Sequence, residues 1–349
     1  MLHTRFTEMF GLDHPVMSAP MAMHSGGRLA AAVSAAGGLG SFGGIRPGAG
    51  PEWMEAELAT VRAATDRPFA VGFITAFLPM FEPLFEAAVS VDAGDGAGVD
   101  DAGGRVGRAP AVIALSFGDP QPWLDRARKA GAATMCQVQT YDDAARAVDA
   151  GADVLVAQGT EAGGHTGTMS LLPFLAKVAA TWPDVPLLAA GGVADGRTLA
   201  AALVAGADGA WVGTAFLATP EAVEVHDVHK ELIVASDGGD TVLTRAYDIV
   251  SGLPWPAGIG ERMHRNRFTD EWAGREVELA GRREEFAPPP GAVPFQAPPD
   301  PDSDPVLYGQ SAAFVTAVRP AAEVLRTICA DAESILRSRP ASLLGPREP

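Results

Sequence analysis

The chain has 349 residues, of which 47% are hydrophobic and 20% charged, and its formal net charge is −17. That supplies enough apolar material for one large core, and the acidic balance argues against nucleic acid or an anionic membrane surface as partner. Two cysteines, Cys136 and Cys329, do not make a disulfide framework. The N-terminus has no apolar signal stretch, so a cytoplasmic location is expected.

From the N-terminus onward, short apolar runs alternate with Ala-rich stretches of helical period. Strands are predicted at 15–19, 40–42, 69–74, 111–115, 134–138, 154–157, 186–190 and 209–212. Most are apolar throughout, as parallel strands buried on both faces require. Between them, apolar residues recur three and four apart over 26–36, 52–64, 121–130, 141–150 and 198–205, predicting helices. Eight such alternations predict an α/β fold of the (β/α)8 barrel type. An open doubly wound sheet is the alternative, but the position where it would carry GxGxxG reads SAPMAMHSGG. The uncharged run 29–45 breaks at Gly37-Gly38 and reads as a helix end and a strand rather than a membrane span.

Three stretches depart from the alternation. Residues 91–108 are Gly- and Asp-rich and predict a flexible surface insertion. Residues 220–285 combine helical patterning with clustered His and Arg, and 287–305 are Pro-rich, an extended connector. Helical patterning returns over 309–338. The expected organisation is a barrel built from 1–219 and 306–340, with 220–305 as an accessory, mostly helical lid segment.

Chemistry concentrates at the predicted C-terminal strand ends. The seventh strand ends in Gly191-Gly192, with Asp195 placed to cap the next helix, and the eighth ends in Gly213-Thr214. Glycines let backbone N–H groups approach an anion closely, and barrels often bind phosphate at this pair of loops. The bland alternative is a pair of tight turns. After the sixth strand comes QGTEAGGHTG, which holds Gln158, Glu161, Gly163, Gly164 and His165. A histidine in a Gly-rich loop on this face suits proton transfer. Gln158 offers donors and an acceptor to a heteroaromatic ring edge, and Glu161 is expected to pin the loop. After the first strand, Met21 and Met23 could wall a flat ring, with core packing an equal reading for Met23, and His24 is a weak candidate. His226 and His229 have ligand-like spacing but no evident third ligand, so they read as solvated surface histidines and no metal is expected. Cys136 reads as structural.

At these residues the sequence resembles the nitronate monooxygenase family, formerly called 2-nitropropane dioxygenases. The likeness is carried by SAPMA, GGLGSFGG, AQGTEAGGHTG, LLAAGGVADG and GAWVGTAFLATPEA, with QGxEAGGHxG the most specific element. The resemblance implies an FMN-dependent enzyme that oxidises an alkyl nitronate, or a nitroalkane, with dioxygen to a carbonyl compound and nitrite. Carried over by position, His165 is the catalytic histidine. The FMN contacts are Met21, Thr75, Gln158, Gly163, Gly164, Gly191, Gly192, Gly213 and Thr214. For an aromatic substrate clamp Tyr308 is the nearest candidate and Tyr247 the next. A homodimer is left open. The alternative activity is NAD(P)H-dependent flavin reduction of an enoyl thioester or quinone on the same barrel. A dehydrogenase using a nucleophilic cysteine is disfavoured by the setting of Cys136, and a non-catalytic flavin carrier is required by nothing in the sequence.

Overall fold

The computed structural model describes residues 1–90, 98–99, 105–106, 109–288, 295 and 297–344. Apart from a two-residue antiparallel pairing of 98–99 with 105–106, the predicted surface insertion lies outside the described residues, as does part of the Pro-rich connector. Eight strands form one parallel sheet: β1 (Val16–Ser18), β2 (Gly40–Gly43), β3 (Phe69–Ile74), β4 (Val112–Ser116), β5 (Ala133–Val138), β6 (Val154–Gln158), β8 (Leu187–Ala190) and β9 (Gly209–Val212). β7 (Gly164–Thr166) lies outside this sheet. The order is β1-β9-β8-β6-β5-β4-β3-β2, and a parallel bridge between Met17 and Leu39 brings its two edges together. The chain is therefore a (β/α)8 barrel, with helices around its outside.

The uniform apolarity of the strands has its cause in two cores. Along β4, Val112 and Ala114 pack inside the barrel while Ile113 and Leu115 pack outward against the helices. β8 repeats this, with Leu188 and Ala190 inside and Leu187 and Ala189 outside. Successive side chains on a strand point to opposite faces, so a strand apolar at every position serves both layers. Inside, bulky Met17, Met135 and Trp211 interleave with Ala70, Ala114 and Ala190. The helix Arg5–Phe10 closes the floor, inserting Phe6 and Phe10. Phe6 is fully buried, so Phe6→Ala should cost about 3–5 kcal/mol of unfolding free energy. Denaturant unfolding measures this, and activity per folded molecule should be retained because the plug lies at the opposite end from the chemistry.

The chain after β9 is less purely helical than its sequence pattern predicts. It contributes helices Asp227–Ala235, Ala246–Ser251, Arg267–Trp272 and Glu276–Gly281 and also two strands, β10 (Thr241–Thr244) and β11 (Gly260–His264). With β7 they form a separate antiparallel sheet in the order β10-β11-β7. Because β7 belongs to the loop after the sixth barrel strand, this small sheet ties the later segment to the barrel's C-terminal end. The long helix Ala321–Leu344 then packs back mainly against Gly196–Val204. No described helix is long and apolar enough to cross a membrane.

Candidate active site

At the C-terminal strand ends lies a cleft of about 1120 Å³, its open mouth included. Met21, Gln158, Gly163, Gly164, His165, Gly191, Gly192, Gly213 and Thr214 all line it. Of the residues expected to contact FMN, Thr75 alone lies elsewhere. It starts the 3-10 turn Thr75–Met80 and lines a small neighbouring cavity with Gly118. Its neighbour Ile74, and Ser116 from the adjacent strand, reach the cleft instead.

The paired-glycine turns have the features of an anion cradle. Gly191 and Gly192 adopt φ of +90° and +72°, conformations that glycine tolerates and most side chains do not. Among the described residues, the N–H groups of Gly192, Gly213 and Thr214 donate to no protein acceptor, so their donors are left for a ligand. The next helix is already capped: the Asp195 side chain accepts from the Thr198 N–H at 2.8 Å, which leaves the anion-binding role to the turn before it. At Gly163, a Cβ would stand 2.4 Å from the Gly309 nitrogen, and the Thr214 hydroxyl accepts from the Gly309 N–H at 3.0 Å. The 306–309 segment is thereby clamped over the cradle. Donors, close backbone approach and an adjoining apolar cleft fit a flavin mononucleotide.

Beside the cradle, amides and aromatics shape the cleft. Gln158 accepts from the Gln139 amide at 2.9 Å and donates to the His165 carbonyl at 3.0 Å, so its amide is oriented before any ligand arrives. Gln137, which no sequence signal singles out, lines the cleft beside it. Glu161 pins the loop as expected, accepting from the Leu171 N–H at 3.1 Å. Phe117 stands at φ +60°, a sparsely populated region for a bulky residue that costs of order 1–3 kcal/mol and often marks a functional wall. Its ring meets Trp255 edge-on at 5.4 Å, and Phe77 does so at 4.8 Å.

His165 is the centre of the titratable groups. Its Nε2 lies 2.9 Å from Asp248 Oδ1, and its ring stacks on Trp255 with centroids 3.4 Å apart and planes inclined by 13°. Antiparallel pairing of β7 with β11 sets Glu261 directly across from His165. One ligand atom each from His165, Asp248 and Glu261 fall within 4.8 Å of one another. Burial pushes the Glu261 carboxyl up to about 7, opposed by attraction to His165 and assisted by repulsion from Asp248. A carboxyl raised in the folded state binds more protons there than in the unfolded chain between its ordinary value and about 7, so stability falls as pH rises through that window. Glu261→Gln removes this loss and should raise Tm by a few degrees at pH 8 relative to wild type, with a smaller gain at pH 5, read by calorimetry.

The other nominated residues take quieter places. Tyr308 lines the cleft, but its phenol accepts from His264 Nδ1 and donates to Asp240 Oδ2, both at 2.8 Å, and so faces away from it. Tyr247 donates to the Ser303 carbonyl and accepts from Asn266, outside the cleft lining. The clamp-like aromatic is Trp255. His229 is buried rather than solvated. Its Nε2 bonds the Leu307 carbonyl at 2.8 Å, and burial lowers its pKa to about 3. His24 packs edge-on against it at 5.5 Å and is likewise held neutral by burial. Met23 does not reach the cleft, and Cys136 is buried inside β5, its thiol pushed up to about 12 by burial.

The family model for nitronate monooxygenase matches residues 3–254. A relative from Mycobacterium tuberculosis, (3aS,4S,5R,7aS)-5-hydroxy-7a-methyl-1-oxo-octahydro-1H-indene-4-carboxyl-CoA dehydrogenase, is 34% identical over 257 residues, covering 72% of this chain and 65% of that protein. The match thus spans just under two thirds of that relative's length. Among solved structures, FabK from Thermotoga maritima superposes with a TM-score of 0.80 at 27% identity, covering 98% of this chain and all of that one. Nitroalkane oxidase from Streptomyces ansochromogenes superposes with a TM-score of 0.69 at 28% identity, covering 96% and 99%.

Proposed function

Because the chain belongs to the nitronate monooxygenase family of flavin oxidoreductases, we propose that it binds FMN in the cleft and oxidises alkyl nitronates, or nitroalkanes after deprotonating them, with dioxygen to a carbonyl compound and nitrite. The observation that carries this reading is that His165, held by Asp248, opens onto the same cleft as the unpaired N–H groups of Gly192, Gly213 and Thr214. Those N–H groups would hold the phosphate, and Gln158 and Met21 would meet the ring. Bound there, the flavin supplies the acceptor for the nitronate's electron pair and the route to dioxygen.

The protein's own part is proton transfer and binding. With Asp248 accepting the Nε2 proton, the other imidazole nitrogen, Nδ1, is left to take an α-proton from a nitroalkane, and the carboxylate stabilises the imidazolium that forms. For a substrate that is already a nitronate, the same imidazolium donates to the anionic oxygens. Trp255 and Phe117, with Phe77 packed behind Trp255, would keep water from the reacting carbon. The test is an absorption spectrum of the purified protein followed by oxygen uptake with a panel of small nitronates. A yellow protein with nitronate-dependent uptake supports the assignment, and a colourless protein that refuses reconstitution with FMN refutes it.

A second reading draws on the carboxyl-CoA dehydrogenase relative and on FabK. The same imidazole could exchange a proton with a thioester substrate while NAD(P)H exchanges hydride with the flavin. Anaerobic bleaching of the flavin by NADH without nitronate would favour it.

A further inference from the structure

Behind His165 lies a charge arrangement that the proposed reaction does not by itself explain. Asp248 uses Oδ1 for the imidazole, but its Oδ2 is buried and has no hydrogen-bond partner. Asp248 is 4% exposed and Glu261 6%. Two carboxylates at this spacing in a site so dry cannot both be ionised cheaply without a cation. The groups facing Glu261 come from three elements. His165 stands opposite on β7 and Asp248 above on the helix Ala246–Ser251. On the other side Thr244 of β10 lies across from it, its hydroxyl donating to Glu276 at 2.9 Å. Next to Asp248, Tyr247 turns its phenol outward to Ser303 and Asn266. The influences that shift Glu261 are burial, His165 and Asp248, with no Lys or Arg among them.

We propose that Glu261 is a neutral carboxylic acid that donates its proton towards Asp248 Oδ2, so that Asp248, as positioning residue, stays an acceptor for His165 and fixes its Nε2–H tautomer. The inference rests on His165 acting as the base. A divalent cation is the competing occupant, since the three side chains are a ligand set by type. The 2.9 Å between Nε2 and Oδ1 is a hydrogen-bond distance, whereas ligands around a tetrahedral ion with bonds of about 2.0–2.1 Å stand roughly 3.3 Å apart. His165 and Asp248 are thus spaced to share a proton rather than to ligate a common ion. Neutral Glu261 also agrees with its upward shift.

The experiment uses the flavin-loaded wild type with Asp248→Asn, Glu261→Gln and His165→Asn. Infrared difference spectra at pH 6 are expected to contain a deuterium-sensitive carboxylic-acid C=O band that vanishes in Glu261→Gln. Histidine 15N spectra, with His165 assigned by loss of its signals in His165→Asn, should report an Nε2–H tautomer that Asp248→Asn abolishes. Asp248→Asn should lower kcat for a neutral nitroalkane about 10–100-fold, with a smaller loss on the preformed nitronate that falls on KM rather than kcat, because there the imidazolium only binds the anionic oxygens and no proton need be removed. A wild type without the band, a tautomer indifferent to Asp248→Asn, or stoichiometric divalent metal released by a chelator would overturn the proposal. If the band and tautomer behave as expected but His165→Asn keeps full nitroalkane turnover, the base assignment fails on its own and the proton placement stands.

Discussion

Replacing His165 with Asn is expected to lower kcat/KM for nitroalkanes by about 10²–10⁴-fold, the usual contribution of a positioned general base, while the flavin remains bound. The asparagine keeps a polar group against Asp248 but cannot take a proton at neutral pH. Because the proposed cradle consists of backbone N–H groups at 191–192 and 213–214 rather than this side chain, the visible spectrum should survive. Steady-state oxygen uptake on paired nitroalkane and nitronate substrates measures the effect. The nitronate, deprotonated beforehand, should lose far less. Equal losses on both substrates would mean that the imidazole serves binding alone, and full activity on both would remove it from the chemistry.

The second large effect concerns the cradle. Gly192→Asp would put a carboxylate where the phosphate is proposed to sit. Space allows it: a Cβ there meets nothing closer than Glu161 Cβ at 3.5 Å, and Asp is among the residues that tolerate the φ of +72°. The fold should therefore persist, and what changes is charge. Like charges juxtaposed cost several kcal/mol, so FMN affinity should fall by at least about 100-fold, since each 1.4 kcal/mol is tenfold. The variant should purify colourless with an unchanged far-ultraviolet dichroism spectrum. Gly192→Ala, which adds strain without charge, should retain more flavin. Flavin fluorescence quenching during titration of the apoprotein separates the two.

All eight barrel strands are legible in the sequence because each is a short, mostly apolar run, and burial on both faces leaves no alternation to confuse the reading. The helices Glu82–Val89 and Leu171–Thr181 escape it: the first is short with Pro83 as its second residue, and the second is nearly apolar throughout with Pro173 in its first turn, so neither presents a clear period. The cradle and His165 are legible because their signals are local, glycine pairs and a Gly-rich loop at strand ends. Asp248, Trp255 and Glu261 are not. They lie 83, 90 and 96 residues beyond His165 and reach it only through the pairing of β7 with β11. The run GERMH gives little strand signal, being mostly polar, and a carboxylate within it reads as solvated until its burial is seen. His229 misleads for the same reason, since the segment that buries it, around Leu307, is remote in sequence.

The distinguishing claim is that one cleft holds both the phosphate cradle and the proton-transfer group. A crystal structure grown with FMN tests it most directly. The phosphate oxygens are expected within about 3 Å of the Gly192 and Gly213 nitrogens, with the ring system in the cleft facing the His165 imidazole. A phosphate bound at another loop pair, or an imidazole turned from the ring with its Asp248 bond intact, would contradict it.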